Sequence, residues 1–545
     1  MPGSSQERRA RTVEVMRRGN PWILLLAAAA LGLATAARLP AAWESGNALN
    51  HVSGAWMALA DDLAHGRFYR PMVDPELGYG GTRWFPLAFA AHAGLRRAGL
   101  DLIVAGYALS LATGLLSVAA AYVLLRRVGT PRAPAAAFAA LTLGTFATQY
   151  SLSSSRYDLL PVGLGALGLA AVARGPSGRA LAAAAVLFAL GFAAKPTALT
   201  APAAAMAWLL LRRERRAAVI LGAGVAAGMV AVVGLTNAFS AGRFFELLEA
   251  TAVGGGSARD LLVAPVRLAH EIAVEDPAAI GLLGASLAAA LAGLRGHVRS
   301  SRRGTPRAAL LPVLWLGAAL AAVVVVYASP GTGVNHLVEV EVAAALSLGT
   351  AWRARGTAGS IARGLAPVAC ALGLVVVAGM AREDLGRSRL GELRALAAAL
   401  PPGTVLSEDP LLPLVAGQRP FVLDTWMLRL ASERDPDLAR PLLDELRRDE
   451  FAAVVLFQDL DLPGSRRWYD RGNLGLDVVG EVARHYRLAE TYGRYHLYLP
   501  ARAAPTDAPV AVAPPARTRR SQGPVPPRST GIPASSAALG ARATP

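Results

Sequence analysis

Apolar stretches recur along the first 380 residues of the chain, many near the ~20 residues that cross a bilayer as helix. Eleven can be traced, at about 22–40, 101–125, 133–150, 159–173, 180–194, 197–211, 217–236, 276–294, 308–328, 337–352 and 364–381. In lipid the backbone must satisfy its own hydrogen bonds, which a helix does. The expected fold class is therefore an α-helical polytopic membrane protein of about eleven spans. Several spans are short and rich in Ala and Gly, which suits close helix packing in lipid. Only 17% of residues are charged and 54% are hydrophobic, against about 25% charged in soluble domains. That balance excludes a water-soluble multidomain enzyme and disorder over most of the chain. Cys370 is the single cysteine, which rules out an internal disulfide and a Cys-based metal site.

The formal charge of +17 would point to nucleic acid in a soluble protein, but its placement points elsewhere. Basic clusters lie at Arg8–Arg18, Arg126–Arg132, Arg174–Arg179, Arg212–Arg216, Arg295–Arg307 and Arg353–Arg363. With eleven spans, all six fall on one side of the membrane. Short loops rich in Lys and Arg stay in the cytoplasm, so the N-terminus is expected inside and the C-terminal region outside. No nucleic-acid partner is expected. Residues 180–211 could form one tilted helix, although Lys195-Pro196 at their centre favours a tight hairpin. Span 22–40 follows a basic segment and ends in Ala-Thr-Ala, so cleavage as a signal peptide is an open alternative. Either way the next segment begins outside.

The first outer loop, within 41–100, carries Glu44, Asp61, Asp62, Asp74 and Glu76. Residues 51–65 have helical periodicity, with Val52, Trp56, Leu59, Ala60 and Leu63 on one arc and His51, Asp62 and His65 on the other. Such a helix lies along the interface. Residues 84–98 form a second candidate, too short and too basic at Arg96 and Arg97 to span comfortably. Residues 1–21 read as a basic cytoplasmic N-terminus and 22–381 as the transmembrane part. Residues 382–500 read as a small extracytoplasmic α/β domain, in which TVL, PFVL and AAVVLF are strands, 436–449 is helical and AETYGRYHLYL closes as a hairpin. Residues 501–545, rich in Pro, Ala, Ser and Arg, are expected to form a disordered tail.

Four groups of polar residues sit near the outer ends of spans, where ionic side chains are rare and usually functional. Lys195 is the only lysine among 55 basic residues; a compact ammonium kept at one turn suggests a grip on phosphate that guanidinium does not replace. In SSSRYDLL, Arg156 and Asp158 flank Tyr157. In PGTGVNHLVEVEV, Asn335, His336, Glu339 and Glu341 open a span, and the helix dipole accounts for only one of the two glutamates. The first loop adds Tyr69, Arg70, Arg83 and Trp84, types that suit a sugar ring and a phosphate and equally an interfacial belt. His51 and Asp62 are three turns apart and cannot share a metal; Asp62 and His65, one turn apart, could chelate or pair.

The order of these motifs, ALADDLAHGRFYRP, TRWFPL, SRYDLLPVGLGALGL, LGFAAKPTAL and GTGVNHLVEV followed by an outer α/β domain, resembles the polytopic C-type glycosyltransferases. That superfamily includes protein O-mannosyltransferases and aminoarabinose transferases, and the resemblance covers about residues 20–500. It implies an inverting, polyprenyl-phosphate-sugar-dependent transferase of a bacterial cytoplasmic membrane, acting on a cell-envelope glycan, lipid or protein. By the same resemblance, Lys195 and Arg156 hold the lipid phosphate and Asp158 orients a ligand or a divalent metal. The family's acidic base, usually in an Asp-Glu pair before the 51–65 helix, is missing here. Asn50-His51 or Val52-Ser53 occupy its place, which leaves His51, Glu44, Asp61 or Asp62 as replacements. A lipid or glycan flippase and a catalytically inactive relative are the rival readings.

Overall fold

The computed structural model describes residues 21–251, 257–300, 308–329, 332–354 and 356–501. The chain is mostly helical, and helix occupies all eleven apolar stretches. Five helices are long and apolar enough to cross a membrane: Pro21–Ser45, Leu102–Arg127, Arg215–Phe239, Pro277–Arg295 and one beginning at Thr357. Leu159–Val172, Gly178–Ala194, Thr200–Leu211 and Leu310–Val326 are shorter apolar helices. The protein is therefore a multi-pass membrane protein. The predicted span 133–150 is not one continuous helix. It breaks into Arg132–Leu141, a 3-10 turn Thr142–Gly144, and Phe146–Ser153, because Thr145 is extended (φ −104°, ψ 152°). At that break helix Thr357–Gly386 crosses so closely that a Cβ on Gly373 would lie 2.7 Å from the Gly144 Cα. Only glycine permits such an approach.

Helix Val338–Ala351 occupies the middle of the bundle, where residues from Val340 to Gly349 are all buried. It packs on Arg132–Leu141, Pro277–Ser300 and Leu310–Val326. A helix that is apolar nearly all round has no solvent face to turn outward. Two of the arginine-bearing ends meet where Arg353 donates to the Gly129 carbonyl (3.4 Å). At the opposite end Arg38 donates to Asp384 (2.8 Å) and Gln149 (3.0 Å), both deep between helices.

The first outer loop forms helices His51–Ala64 and Pro86–Arg97, as the periodicity predicts. Asn50 caps the former in a reciprocal capping box with Ser53, which satisfies the free N–H groups of the first turn. Of the predicted polar face of that helix, His65 is exposed and Asp62 is not. Asp62 is 3% exposed, because Arg70 donates to both of its oxygens (2.6 and 3.2 Å). His65 pairs with Asp61 instead (3.5 Å), so the Asp62–His65 pairing does not form.

The C-terminal unit has a four-stranded sheet in the order β3-β4-β6-β5, namely β3 Val405–Ser407, β4 Ala453–Leu456, β5 Tyr486–Tyr492 and β6 Tyr495–Pro500. The β5–β6 hairpin is the closing hairpin that the sequence predicts, and the β3–β4 pair is parallel. The transmembrane helix continues to Gly386, past the predicted boundary at 382. Helix 436–449 shortens to a 3-10 turn at Pro436–Leu438 and Arg440–Arg447. The expected PFVL strand does not join this sheet. Its Val422 bridges Tyr79 of the first outer loop, beside the two-residue strands β1 Val73–Asp74 and β2 Gly78–Tyr79. Tyr79 N–H donates to Phe421 O (2.7 Å) and Leu423 N–H to Tyr79 O (3.0 Å), while Arg70 donates to Pro420 O (2.6 Å). Residues 420–423 thus lace the α/β unit onto the first outer loop. The basic N-terminus before residue 21 and the tail beyond 501 lie outside the described residues.

Arg70 serves both the Asp62 pair and this lacing. Removing one partner of a buried pair costs about 3–5 kcal/mol, and Arg419, 3.8 Å from Asp62, replaces part of the loss. Arg70→Met is expected to lower stability by about 3 kcal/mol and to speed proteolysis between 400 and 425, read by thermal unfolding in detergent and limited digestion. An unchanged midpoint would show that the pair is not a fastening.

Candidate functional site

Four separate parts of the sequence meet at the bundle end that faces the first outer loop. Helix Gly178–Ala194 stops at Lys195, which is extended (φ −154°, ψ 121°), because the residue before a proline is pushed out of the helical region. Pro196 to Leu199 turn the chain into helix Thr200–Leu211, so the hairpin alternative is the one observed. Helix Phe146–Ser153 leads into a loop in which Ser155 and Tyr157 both take positive φ (54° and 57°). For residues other than glycine this costs about 1–2 kcal/mol each and persists only where surroundings impose it. Tyr157 is fixed by donating to His92 Nδ1 (2.6 Å), whose Nε2–H donates to the Leu102 carbonyl (2.8 Å). The carbonyl can only accept, which assigns the tautomer. Trp56 meets Tyr157 edge-on at 5.9 Å.

With Tyr157 held inward, Arg156 and Asp158 turn to the other side. Lys195 Nζ donates to Asp158 Oδ1 (2.7 Å), Asn335 reaches the same oxygen (3.4 Å), and Arg156 lies 3.7 Å from Oδ2. The latter oxygen and Arg156 Nε are buried and face each other without a hydrogen bond. Glu339 accepts from Trp315 Nε1 (2.9 Å) and from the Thr200 hydroxyl. Lys195, Arg156 and Arg83 all direct positive charge at His336. Asp158, Lys195, Asn335, His336 and Glu339 line one narrow cavity of about 40 Å³. Its other wall is apolar, supplied by Pro161, Val162, Ala319, Ala322, Val323 and Val326. A polar head above a greasy wall is a shape for an amphiphile with a small anionic group.

The remaining sequence candidates fall elsewhere. Tyr69 is 1% exposed and donates to the Trp84 carbonyl (2.6 Å). Trp84 stacks on Trp56 at 4.8 Å. Arg70 spends its donors on Asp62 and two carbonyls. These three build the loop's own core, because aromatic and Arg side chains that interleave can satisfy one another. Arg83 alone of that group is exposed. Glu341 turns away from Glu339, as residues two apart on a helix must. His51 abuts the α/β unit, where burial pushes its ring down to about 4 against the raising effect of Asp409, with Arg156, Arg389 and Arg494 pushing the same way as burial. The imidazole is neutral at pH 7. Asp409 itself is held by Arg389 and Tyr495.

Sequence reasoning missed Asp424. It caps helix Thr425–Arg434 by accepting from Met427 N–H (3.0 Å). Burial pushes its carboxyl up to about 6, while that N–H and Arg83 pull it down. Nothing in its local sequence singles it out, since only the lacing of 420–423 brings it beside Arg83. Among the described residues no three His, Cys, Asp or Glu side chains gather as ligands, and Asp158 already faces two cations.

No protein-family model matches the sequence, and no curated protein does. Solved structures do match in fold. ArnT from Cupriavidus metallidurans bound to undecaprenyl phosphate superposes with a TM-score of 0.51 and 15% identity, over 86% of this chain and 97% of that one. The archaeal oligosaccharyltransferase AglB from Archaeoglobus fulgidus, in complex with an inhibitory peptide and a dolichol-phosphate, gives 0.55 and 11%, over 89% and 74%. The chain therefore has the fold of the polytopic C-type glycosyltransferases, the superfamily that its motif order resembles.

Proposed function

We propose that this protein transfers a sugar from a polyprenyl-phosphate donor to an acceptor outside the cytoplasmic membrane of a bacterium, with inversion at the anomeric carbon. The topology is eleven spans, with the N-terminus cytoplasmic and the α/β domain extracytoplasmic. The observation that carries the reading is the cavity in which Lys195, paired with Asp158, stands at the head of an apolar wall, with Arg156 beside Asp158. A lipid phosphate would seat its charge there and run its chain along helix Leu310–Val326. The polyprenyl phosphates held by ArnT and AglB are ligands of that same shape.

The chemistry is one displacement. The acceptor oxygen bonds to the anomeric carbon as the bond from that carbon to the phosphate oxygen breaks, and the electron pair leaves on the lipid phosphate. Charge that grows on that oxygen is stabilised by Lys195, Arg156 and Arg83, in a setting where fixed cations act strongly. Asp158 holds Lys195 and keeps the two nearest cations apart. The acceptor proton needs a base. His51 is neutral but weakly basic, and Asp61 and Asp62 already serve ion pairs. Asp424 is better matched, because a carboxyl near 6 is ionised at pH 7 yet still basic enough to accept a proton.

Transfer from undecaprenyl-phosphate sugars (mannose, glucose and aminoarabinose) to a bacterial envelope extract, with purified protein in liposomes, tests the reading. Lys195→Arg and Asp158→Asn are each expected to lower the rate about 100-fold or more. Wild-type rates in both would remove the assignment. For the base, kcat/KM is expected to fall as pH drops through about 6, because protonated Asp424 cannot accept a proton. Asp424→Asn retains the helix cap but should abolish that acid limb and lower kcat about 100-fold; an unchanged profile would exclude Asp424 as base.

A further inference from the structure

The turn between helices Leu159–Val172 and Gly178–Ala194 takes no part in the proposed chemistry. The first helix starts beside Asp158 and the second ends at Lys195, so the turn lies at the end of the pair away from the cavity. Gly175, at φ +116°, reverses the chain there. Arg174, Ser177 and Arg179 line a groove of about 570 Å³ with Ala171, Ala180 and Ala183. A Cβ added at Gly175 or Gly178 would meet nothing within 4 Å, so the groove is open.

Arginines of the other basic loops are spent on the protein. Arg126 donates to the Thr130 carbonyl (2.6 Å), Arg363 to the Trp352 carbonyl (2.7 Å), and Arg212 pairs with Glu214 (2.9 Å). Among the described residues the guanidinium groups of Arg174 and Arg179 have no hydrogen bond or ion pair. Ser177 Oγ accepts the Ala180 N–H (3.3 Å), which leaves its own hydrogen to donate. Two neighbouring cations and a hydroxyl hydrogen form a seat for a phosphate.

A stripe of apolar residues leads away from that seat. Arg179, Ala183, Val186 and Leu190 fall within about 60° of arc on their helix. Val186 is 59% exposed and Leu190 38%. The opposite face, with Leu181 and Phe188, is buried. From Arg179 to Leu190 the stripe runs about 16 Å, which matches one leaflet, half of the ~30 Å hydrocarbon core. A free phosphate would use the arginines and leave the stripe idle. We propose that this groove binds an anionic phospholipid of the cytoplasmic leaflet, its phosphate against Arg174 and Arg179 and one acyl chain along Ala183, Val186 and Leu190. The leaflet follows from the proposed topology. The binding itself does not depend on sugar transfer, so its failure would leave the transferase reading untouched.

The test is native mass spectrometry of the full protein with phosphatidylglycerol, phosphatidylethanolamine, or the chain-free headgroup glycerophosphoglycerol. Wild type should bind phosphatidylglycerol about tenfold or more tighter than phosphatidylethanolamine. The double variant Arg174→Gln/Arg179→Gln should lose that preference, whereas Arg213→Gln/Arg216→Gln, in the next basic loop, should keep it within about twofold. Equal losses in the two double variants would mean a diffuse basic rim and overturn the site. Glycerophosphoglycerol that displaces the lipid at equal concentration would overturn the acyl-chain contact and leave a soluble-phosphate site in its place. Because neither arginine has a protein partner, the thermal midpoint of Arg174→Gln/Arg179→Gln in phosphatidylethanolamine should equal that of wild type. A lowered midpoint would show that the arginines hold the protein itself together, which would also overturn the proposal.

Discussion

A charge at the end of an apolar helix survives only with a counter-charge or a full set of hydrogen bonds, and Lys195–Asp158 is the pair on which this molecule turns. The 2.7 Å contact links the break between two helices to the strained loop that opens a third. Removing either member would leave the other without its nearest partner in a poorly hydrated cavity, which costs far more than the pair itself contributes. Asp158 Oδ2 and Arg156 Nε face each other at 3.7 Å without a hydrogen bond, so the loop is held chiefly by the Lys195 contact.

The surrounding structure restrains that loop from every side. Tyr157 is locked inward by His92 and Trp56, and Gln149 on the preceding helix ties to Thr35 and Arg38. The far end of that helix is held by Asp276. Residues 420–423 join the first outer loop through two backbone hydrogen bonds and one from the Arg70 side chain, which fastens the α/β unit to that loop. Gly78 makes this possible. At φ +75° it lies so near Phe421 O that a Cβ would come within 2.0 Å.

Much of the architecture was legible because membrane helices are written in composition. The eleven apolar stretches, the interfacial helix at His51–Ala64, the turn at Lys195-Pro196 and the closing hairpin each follow from local chemistry: hydropathy, an Asn50 cap, a proline, a Gly493 turn. Local rules failed where partners are remote. Asp62 looked like part of a wet face and is buried, because Arg70 folds back onto it. PFVL looked like a sheet strand and pairs with Tyr79, some 340 residues earlier. Span 133–150 looked continuous, since a single extended Thr145 leaves no mark on hydropathy.

The sequence by itself determined that the chain is apolar enough to cross a bilayer, where its scarce polar residues lie and in what order they occur. Hydrophobicity and scarcity of charge are properties of residues and need no partner to be read. Only the tertiary structure decided which of those residues share a cavity. Lys195, Asp158, Asn335, His336 and Glu339 do, with Arg156 beside Asp158, whereas Tyr69, Arg70, Trp84 and Asp62 stabilise the loop, and Asp424 comes from the far end of the chain to lie near Arg83. An ion pair is a statement about distance, and distances between helices are set by side-chain packing that no single stretch of sequence contains.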